Sequence, residues 1–302
     1  MRVETASEKT LARSQTTARP KSVLVKHITQ NALVYILLSI VAIVVLVPFL
    51  WMLTTSLKTN VEASTYPPTL FPAIPQWHDY SDVFTAVPFL TYLFNTAFYA
   101  LAVMIGQFVC CSLAAFAFAR LHFPGRNALF IVYLATMLVP ATVTIVPSFM
   151  EMKAFGWLDT IWAMTIPGML GSAYGTFLLR QYMLAIPREL DDAAMLDGAG
   201  PLYTYWKVIL PLCKPALMVL AVITIMTVWN DFMWPLVMLQ SDSVMTLTLG
   251  LSNFTSGGSE TFVSTPISMA ASTMTITPLI LIFFLAQRYF VRGIALSGMG
   301  GR

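Results

Sequence analysis

Charge is what this chain has least of. Of its 302 residues only 10% are Asp, Glu, Lys or Arg, against roughly 25% in an ordinary soluble domain. So few charges cannot cover the surface of a water-soluble globule. With 57% hydrophobic residues, the chain is equally far from the low-hydrophobicity composition that keeps a segment disordered. A net charge of +3 offers no basic excess for a nucleic-acid partner. Cysteine is scarce as well: Cys110, Cys111 and Cys213 stand in apolar surroundings without metal-ligand spacing, and read as small apolar residues rather than a disulfide framework. His27, His78 and His122 fall in separate loops, so no metal site is expected. Neither a G-x-x-x-x-G-K-[ST] loop nor an internal repeat occurs; the first absence excludes a phosphate-cradling ATP site in this chain. No cofactor is expected. What remains is an all-α, polytopic membrane protein.

A helix needs about 20 apolar residues to cross the hydrocarbon core. Six stretches satisfy this: Ala32–Leu53, Phe89–Ala119, Ala128–Phe149, Ile161–Leu184, Ala216–Leu239 and Ile267–Ala286. The first is too long for a signal-peptide core and lacks a cleavage site, so it reads as a retained span. Placing the N-terminus inside puts 15 of the 17 Lys and Arg residues on the inner side, leaving Lys58 and Lys153 outside. The acidic residues show no such bias, which is the asymmetry of the positive-inside rule. Both termini are expected in the cytoplasm.

The chain divides into a basic tail (1–30) placed near anionic lipid headgroups, a first span with its outer loop (31–91), a core (92–287) and a second tail (288–302). The outer loop is rich in proline and aromatics (Tyr66-Pro67-Pro68, Phe71-Pro72, Pro75, Trp77), an irregular stretch suited to the membrane interface. Gly168, Gly171 and Gly175, with Ala115 and Ala119, permit close helix packing, here expected within the chain. Pro140, Pro147, Pro167, Pro235 and Pro278 interrupt helix ladders inside spans, which is tolerated where neighbours or a cavity satisfy the freed carbonyls.

The most informative segment is the inner loop 180–214. Pro187 opens a short helix, and Glu189, Asp191 and Asp192 fall in its first turns, where the helix dipole favours negative charge. Gly198 and Gly200 end it after about three turns. Leu190, Ala193, Ala194 and Leu196 give it an apolar side. A helix this short, with nothing of its own to pack on, invites a partner protein. Asp192-Ala193-Ala194, three residues, Gly198, nine residues, then Val208-x-Leu210-Pro211 resembles the E-A-A, G, I-x-L-P signature of permease subunits of binding-protein-dependent ABC importers. Asp192 replaces the usual Glu and Val208 the usual Ile, with charge and apolar character kept. Leu196-Asp197-Gly198-Ala199 extends the match. Gln287-Arg288-Tyr289-Phe290-Val291-Arg292-Gly293-Ile294 and Val228-Trp229-Asn230-Asp231-Phe232-Met233-Trp234-Pro235 resemble segments of the maltose-type (MalG-like) carbohydrate permeases. With Asn95-Thr96, the likeness covers about residues 30–302.

The resemblance implies a type I ABC importer permease fold in a bacterial or archaeal cell membrane. It implies a second permease subunit, ATP-binding subunits that carry out the hydrolysis, an extracytoplasmic solute-binding protein, and a sugar, oligosaccharide or polyol as cargo. Residues implied in coupling to the ATPase are Glu189, Asp192, Ala193, Ala194, Asp197, Gly198, Leu210 and Pro211, with Arg292 and Gly293 of the tail reaching toward the same subunits. Leu296-Ser297-Gly298-Met299-Gly300 faintly resembles an ABC ATPase signature, but without a phosphate loop it carries no hydrolysis. Asp231 is the one acidic residue inside a span, and residues of that kind usually face a cavity or a partner. Two readings stay open: Trp229, Asn230, Asp231 and Trp234 line the outer pathway, or Asp231 caps a helix break before Pro235. The loop 240–266, rich in Gly, Ser and Thr, is expected to meet the binding protein. The alternative function, a self-contained secondary transporter, calls for internal repeats and midplane ionisable groups, which this sequence does not show.

Overall fold

The computed structural model describes the backbone of residues 21–255 and 264–298. Residues 1–20 of the basic tail and 256–263 of the loop 240–266 lie outside the described residues. In chain order the helices are α1 (Lys21–Thr55), α2 (Asn60–Ser64), α3 (Asp79–Ala86), α4 (Phe89–Arg120), α5 (Arg126–Ala135), a 3-10 turn (Thr136–Leu138), α6 (Ala141–Ala154), α7 (Ile161–Met169), α8 (Ala173–Leu184), α9 (Glu189–Leu196), α10 (Pro201–Thr204), a π-helical turn (Tyr205–Ile209), α11 (Leu210–Leu212), α12 (Lys214–Trp229), α13 (Met233–Met238), α14 (Leu247–Thr255) and α15 (Thr265–Gly298). The expected all-α class holds among the described residues.

The chain forms two units, Met1–Trp51 and Met52–Arg302. In the first, the described part of α1 is apolar on every face, with Leu33, Ile43 and Leu50 all more than half exposed. A helix hydrophobic all round belongs in lipid. It begins at Lys21, earlier than the apolar run alone suggests.

The second unit is organised around α4. Its 32 residues make a rod of about 48 Å at 1.5 Å per residue, and its buried positions (Tyr92, Thr96, Tyr99, Val103, Cys111, Ala115, Ala119) recur three or four apart through most of the helix. α7, α8, α12 and α14 pack on it. One core cluster lies toward its N-terminal end, with Tyr99, Met164, Trp229 and Leu247. The other lies toward its C-terminal end, with Cys111, Leu179, Tyr205, Ile209 and Leu220. The small residues do pack inside the chain: a Cβ on Gly106 would stand 2.4 Å from that of Met169, and one on Gly175 would stand 2.9 Å from Cys111 Sγ. Polar groups on the first turns of α4 clamp the segment before α14. Asn95 donates to the carbonyls of Ser243 (2.9 Å) and Met245 (3.0 Å). Thr96 Oγ1 accepts from Leu247 N–H (2.8 Å), and the Tyr99 hydroxyl donates to Val244 O (2.8 Å). These contacts explain the physical use of Asn95-Thr96.

Of the six expected crossings, three are single helices that, among the described residues, are long and apolar enough to span: Asn31–Thr55, Phe89–Arg120 and Thr265–Leu285. Two more are bent pairs. Arg126–Leu138 and Ala141–Ala154 meet at 97°, and Pro201–Leu212 and Lys214–Trp229 meet at 75°. The fourth, 161–184, is not continuous. It breaks between α7 and α8, where Gly171 adopts φ +102°, a conformation with a steric cost for any residue bearing a Cβ. Ser172 Oγ then accepts from Gly175 N–H (3.0 Å) to start α8. The fifth stops at Trp229 rather than running to Leu239, with α13 following after a three-residue break. The sixth continues as one helix through the expected tail to Gly298. Prolines and glycine account for the breaks, because each withdraws a backbone bond or adopts a dihedral that a continuous helix cannot use.

Candidate functional site

Near the C-terminal end of α4 lies α9. It has eight residues, Glu189–Leu196, about two turns rather than the three expected, because it starts only after Pro187 and Arg188 and has already closed at Asp197, before Gly198. That glycine sits at φ +80°. Gly198 N–H donates to Met195 O (3.0 Å), and Ala199 N–H reaches back to Ala194 O (2.9 Å), the paired closure of a Schellman ending. None of the residues of α9 is buried. Met195 is 68% exposed and Leu196 90%, while Asp191 and Ala194, three apart, form the half-buried edge. Ala193, Ala194, Asp197 and Gly198 line one open groove of about 610 Å³ with Tyr203 and Lys207. The other expected coupling residues lie apart from it. Glu189 is exposed on the first turn, and Asp192 faces a second cleft of about 370 Å³ beside Arg120 and Arg188. Leu210 packs on the core around Tyr205 and Ile209, and Pro211 is exposed at the start of α11. Arg292 and Gly293 are on the helical backbone of α15, but the surroundings of their side chains lie outside the described residues.

The structure adds residues here that spacing did not single out. Tyr205, in the π-helical turn, is buried against Phe116, and its hydroxyl shares a 2.6 Å hydrogen bond with Ser112 of α4. Arg180 of α8 donates to Phe118 O (3.2 Å) and lies 4.1 Å over the Phe130 ring. Arg120, the last residue of α4, is 9% exposed. It donates from Nη2 to Ile186 O (2.9 Å), and its Nε stands 3.3 Å from Asp191 Oδ2. The signal available beforehand was an arginine directly ending an apolar run, a position that also suits ordinary interfacial anchoring.

Midway along α4 the broken helices leave a cavity of about 390 Å³, lined by Gln107, Thr142, Thr144, Thr227, Asp231 and Trp234 among others. The structure therefore brings Asp231 and Trp234 together and separates the other two. Trp229 is 4% exposed within the core, and its indole donates to Thr275 O (3.3 Å) on α15, so it faces away from the cavity. Asn230 donates back to Met226 O (2.8 Å) at the end of α12. Asp231 Oδ1 accepts from Trp234 N–H (3.3 Å), capping α13 while also lining the cavity. Trp234 is held by its indole N–H on Ala163 O (3.0 Å). Gln107 was not foreseen. Its amide bridges three elements, donating to Gly168 O (3.4 Å) and accepting from Ser172 (3.4 Å) and Thr224 (3.1 Å).

At the opposite end of α4, His78, Asp79 and Asp82 bring three potential ligand atoms within 4.8 Å, where separate histidines suggested no cluster. His78 and Asp79 are 3.4 Å apart. Burial raises the Asp79 carboxyl above its ordinary range against the opposing pull of His78. Asp159, between α6 and α7, adopts φ 56° and accepts from the backbone N–H groups of Gln240 and Ser241 (both 2.8 Å) and from the Ser241 hydroxyl.

Three comparisons place this architecture. The family described as "Binding-protein-dependent transport system inner membrane component" matches residues 107–296. The sn-glycerol-3-phosphate transport system permease protein UgpE of Yersinia enterocolitica is 32% identical over 267 residues, covering 86% of this chain and 94% of that protein. The arabinooligosaccharides transport system permease protein AraQ of Halalkalibacterium halodurans is 29% identical over 264 residues, covering 86% and 93%. Among solved structures, a chain of a bacterial ABC transporter involved in the import of the acidic polysaccharide alginate aligns with TM-score 0.77 and 25% identity, covering 87% of this chain and 96% of that one. The chain belongs to the binding-protein-dependent transport system inner membrane component family and is a permease subunit of an ABC importer.

Proposed function

We propose that this permease pairs with a second permease subunit, that two ATP-hydrolysing subunits bind beneath the pair with α9 as this chain's contact to them, and that a solute-binding protein delivers a sugar, oligosaccharide or polyol at the opposite end. The α9 end and both termini are then cytoplasmic, a reading supported by the 15 of 17 basic residues that fall on that side. The cargo class draws support from the relatives, whose names specify sn-glycerol-3-phosphate and arabinooligosaccharides, and from the alginate importer. All are polyhydroxylated. The cavity suits such a solute, since Trp234 supplies an aromatic face and Gln107, Thr227 and Asp231 supply polar groups. Trp229, turned into the core, takes no part in this reading.

The observation that carries the proposal is the exposure of Met195 and Leu196 on a two-turn helix flanked by an open groove. Fully burying a large apolar side chain stabilises by about 1.5–3 kcal/mol, so docking a protein over this edge supplies energy that water cannot. Glu189, Asp192 and Asp197 surround the apolar edge with negative charge for basic groups of the partner, while Arg292 and Gly293 extend the contact. ATP-driven closure of the docked subunits moves α9 and shifts the permease between inward- and outward-facing states, with transport following from the solute's unequal affinity for the two. The test is co-purification of the ATPase subunits with wild type and with Gly198→Asp plus Asp192→Lys. The double variant should lose both the ATPase and transport; wild-type assembly and transport would refute the assignment.

A further inference from the structure

We infer that Arg120 and Asp191 form the link through which α9 and α4 move together, and that the adjacent acids Asp191 and Asp192 have separate tasks. The inference rests on the reading of α9 as the helix that meets the ATPase. α9 has no buried residue of its own, so apolar packing does not lock it to the rest of the unit. Its half-buried edge carries Asp191, whose carboxylate meets a guanidinium projecting from the last residue of α4. Side-chain exposures of 5% for Arg120 and 18% for Asp191 place the pair away from the solvent that makes exposed ion pairs weak. Arg120 Nε and Asp191 Oδ2 are shielded from solvent, and neither has a hydrogen-bond partner other than the facing charge. Each charge therefore depends on the other, and removing one strands its partner in a desolvated site.

The same guanidinium also donates to Ile186 O in the turn between α8 and α9. One side chain thus holds both the helix and the turn leading into it. α4 in turn carries Gln107 and Val103 at the midspan cavity. A displacement of α9 is delivered through Asp191 and Arg120 to the rod that lines the proposed solute path. Asp192, one residue further, lines the same cleft but is exposed, and among the described residues no ion pair engages it, which leaves its carboxylate for the partner. Arg188, His122 and Asp192 line the same cleft as the pair, but only Arg120 is in ion-pair contact with Asp191 among the described residues. Arg120 and Asp191 are positioning residues, acting through α4 and α9 rather than on solute or nucleotide.

The experiment uses the complete importer, with its ATPase subunits and binding protein, in proteoliposomes. Asp191→Asn is expected to retain co-purified ATPase subunits and basal hydrolysis, yet to lose tenfold or more of the stimulation by solute-loaded binding protein. Asp191→Glu keeps the charge and should keep most of that stimulation, and the exchange Arg120→Asp with Asp191→Arg should recover part of it. Equal stimulation in the Asn and Glu variants, whether both high or both low, overturns the link. So does loss of the ATPase subunits from Asp191→Asn alone, which would assign Asp191 to docking. Failure of the wild-type chain to co-purify with the ATPase would instead refute the underlying function. Even then, hydrogen exchange along α9 must be faster in Asp191→Asn than in Asp191→Glu, or the link itself is refuted.

Discussion

Gly198→Ala isolates one backbone dihedral at the end of α9. A Cβ added at this position meets nothing within 4 Å, so steric contact with neighbours contributes no penalty. The cost lies in φ +80°. An L-residue held in the left-handed region loses about 1–2 kcal/mol relative to its preferred conformations, whereas asparagine enters that region several times more readily than most residues. Two hydrogen bonds depend on it, Gly198 N–H to Met195 O and Ala199 N–H to Ala194 O. A loss of 1–2 kcal/mol corresponds to a factor of about 5–30 in a local closing equilibrium. Hydrogen exchange of the purified permease complex should therefore show the Ala199 amide exchanging about 5–30 times faster in Gly198→Ala, and close to wild type in Gly198→Asn. Equal protection in all three proteins would refute the argument that the dihedral, rather than side-chain space, requires glycine here.

Gly106→Ala should destabilise the helix core by at least about 1–3 kcal/mol, because the new methyl stands 2.6 Å from the Met169 backbone and α4 and α7 must separate; thermal unfolding in detergent measures it. Tyr205→Phe removes the bond to Ser112 and should cost about 1 kcal/mol, with a double-mutant cycle against Ser112→Ala showing that the two losses are not additive. Asp159 gives a pH dependence. Burial works against its charge, but the hydrogen bonds from Ser241 and Gln240 prevail and hold its carboxyl below the ordinary 3.8. A carboxyl depressed in the folded state stabilises fully above its unfolded pKa, and that contribution disappears as pH falls through the folded value. Wild type should melt above Asp159→Asn at pH 7, and the difference should shrink only below about pH 4; a gap that persists unchanged to pH 3 contradicts the assignment.

The short helix in the loop 180–214 was legible because its message is local. Helix-opening proline, early acids and a terminal glycine act within one turn of one another, so α9 and its ending at Gly198 follow from neighbouring residues. The cavity was only half legible. Trp229 and Trp234 stand five apart in one motif, yet the helix is interrupted at 230–232 between them, and one indole donates to Thr275 O and the other to Ala163 O. Gln107 looked like one polar residue in a long apolar run, since its partners Gly168, Ser172 and Thr224 are distant in sequence.

Composition and the placement of charges determined by themselves that this chain lives in a membrane, roughly where its apolar segments run, and where a short acidic helix interrupts them. Hydrophobic length and local capping need no distant contact, so a linear reading reaches them. The tertiary structure alone decided which apolar segments bend or break, which tryptophan meets the cavity, and which of two adjacent aspartates turns inward. Those outcomes depend on what stands opposite each side chain. Asp191 finds a buried guanidinium 71 positions earlier in the chain, while Asp192, lining the same cleft, stays exposed and unpaired among the described residues.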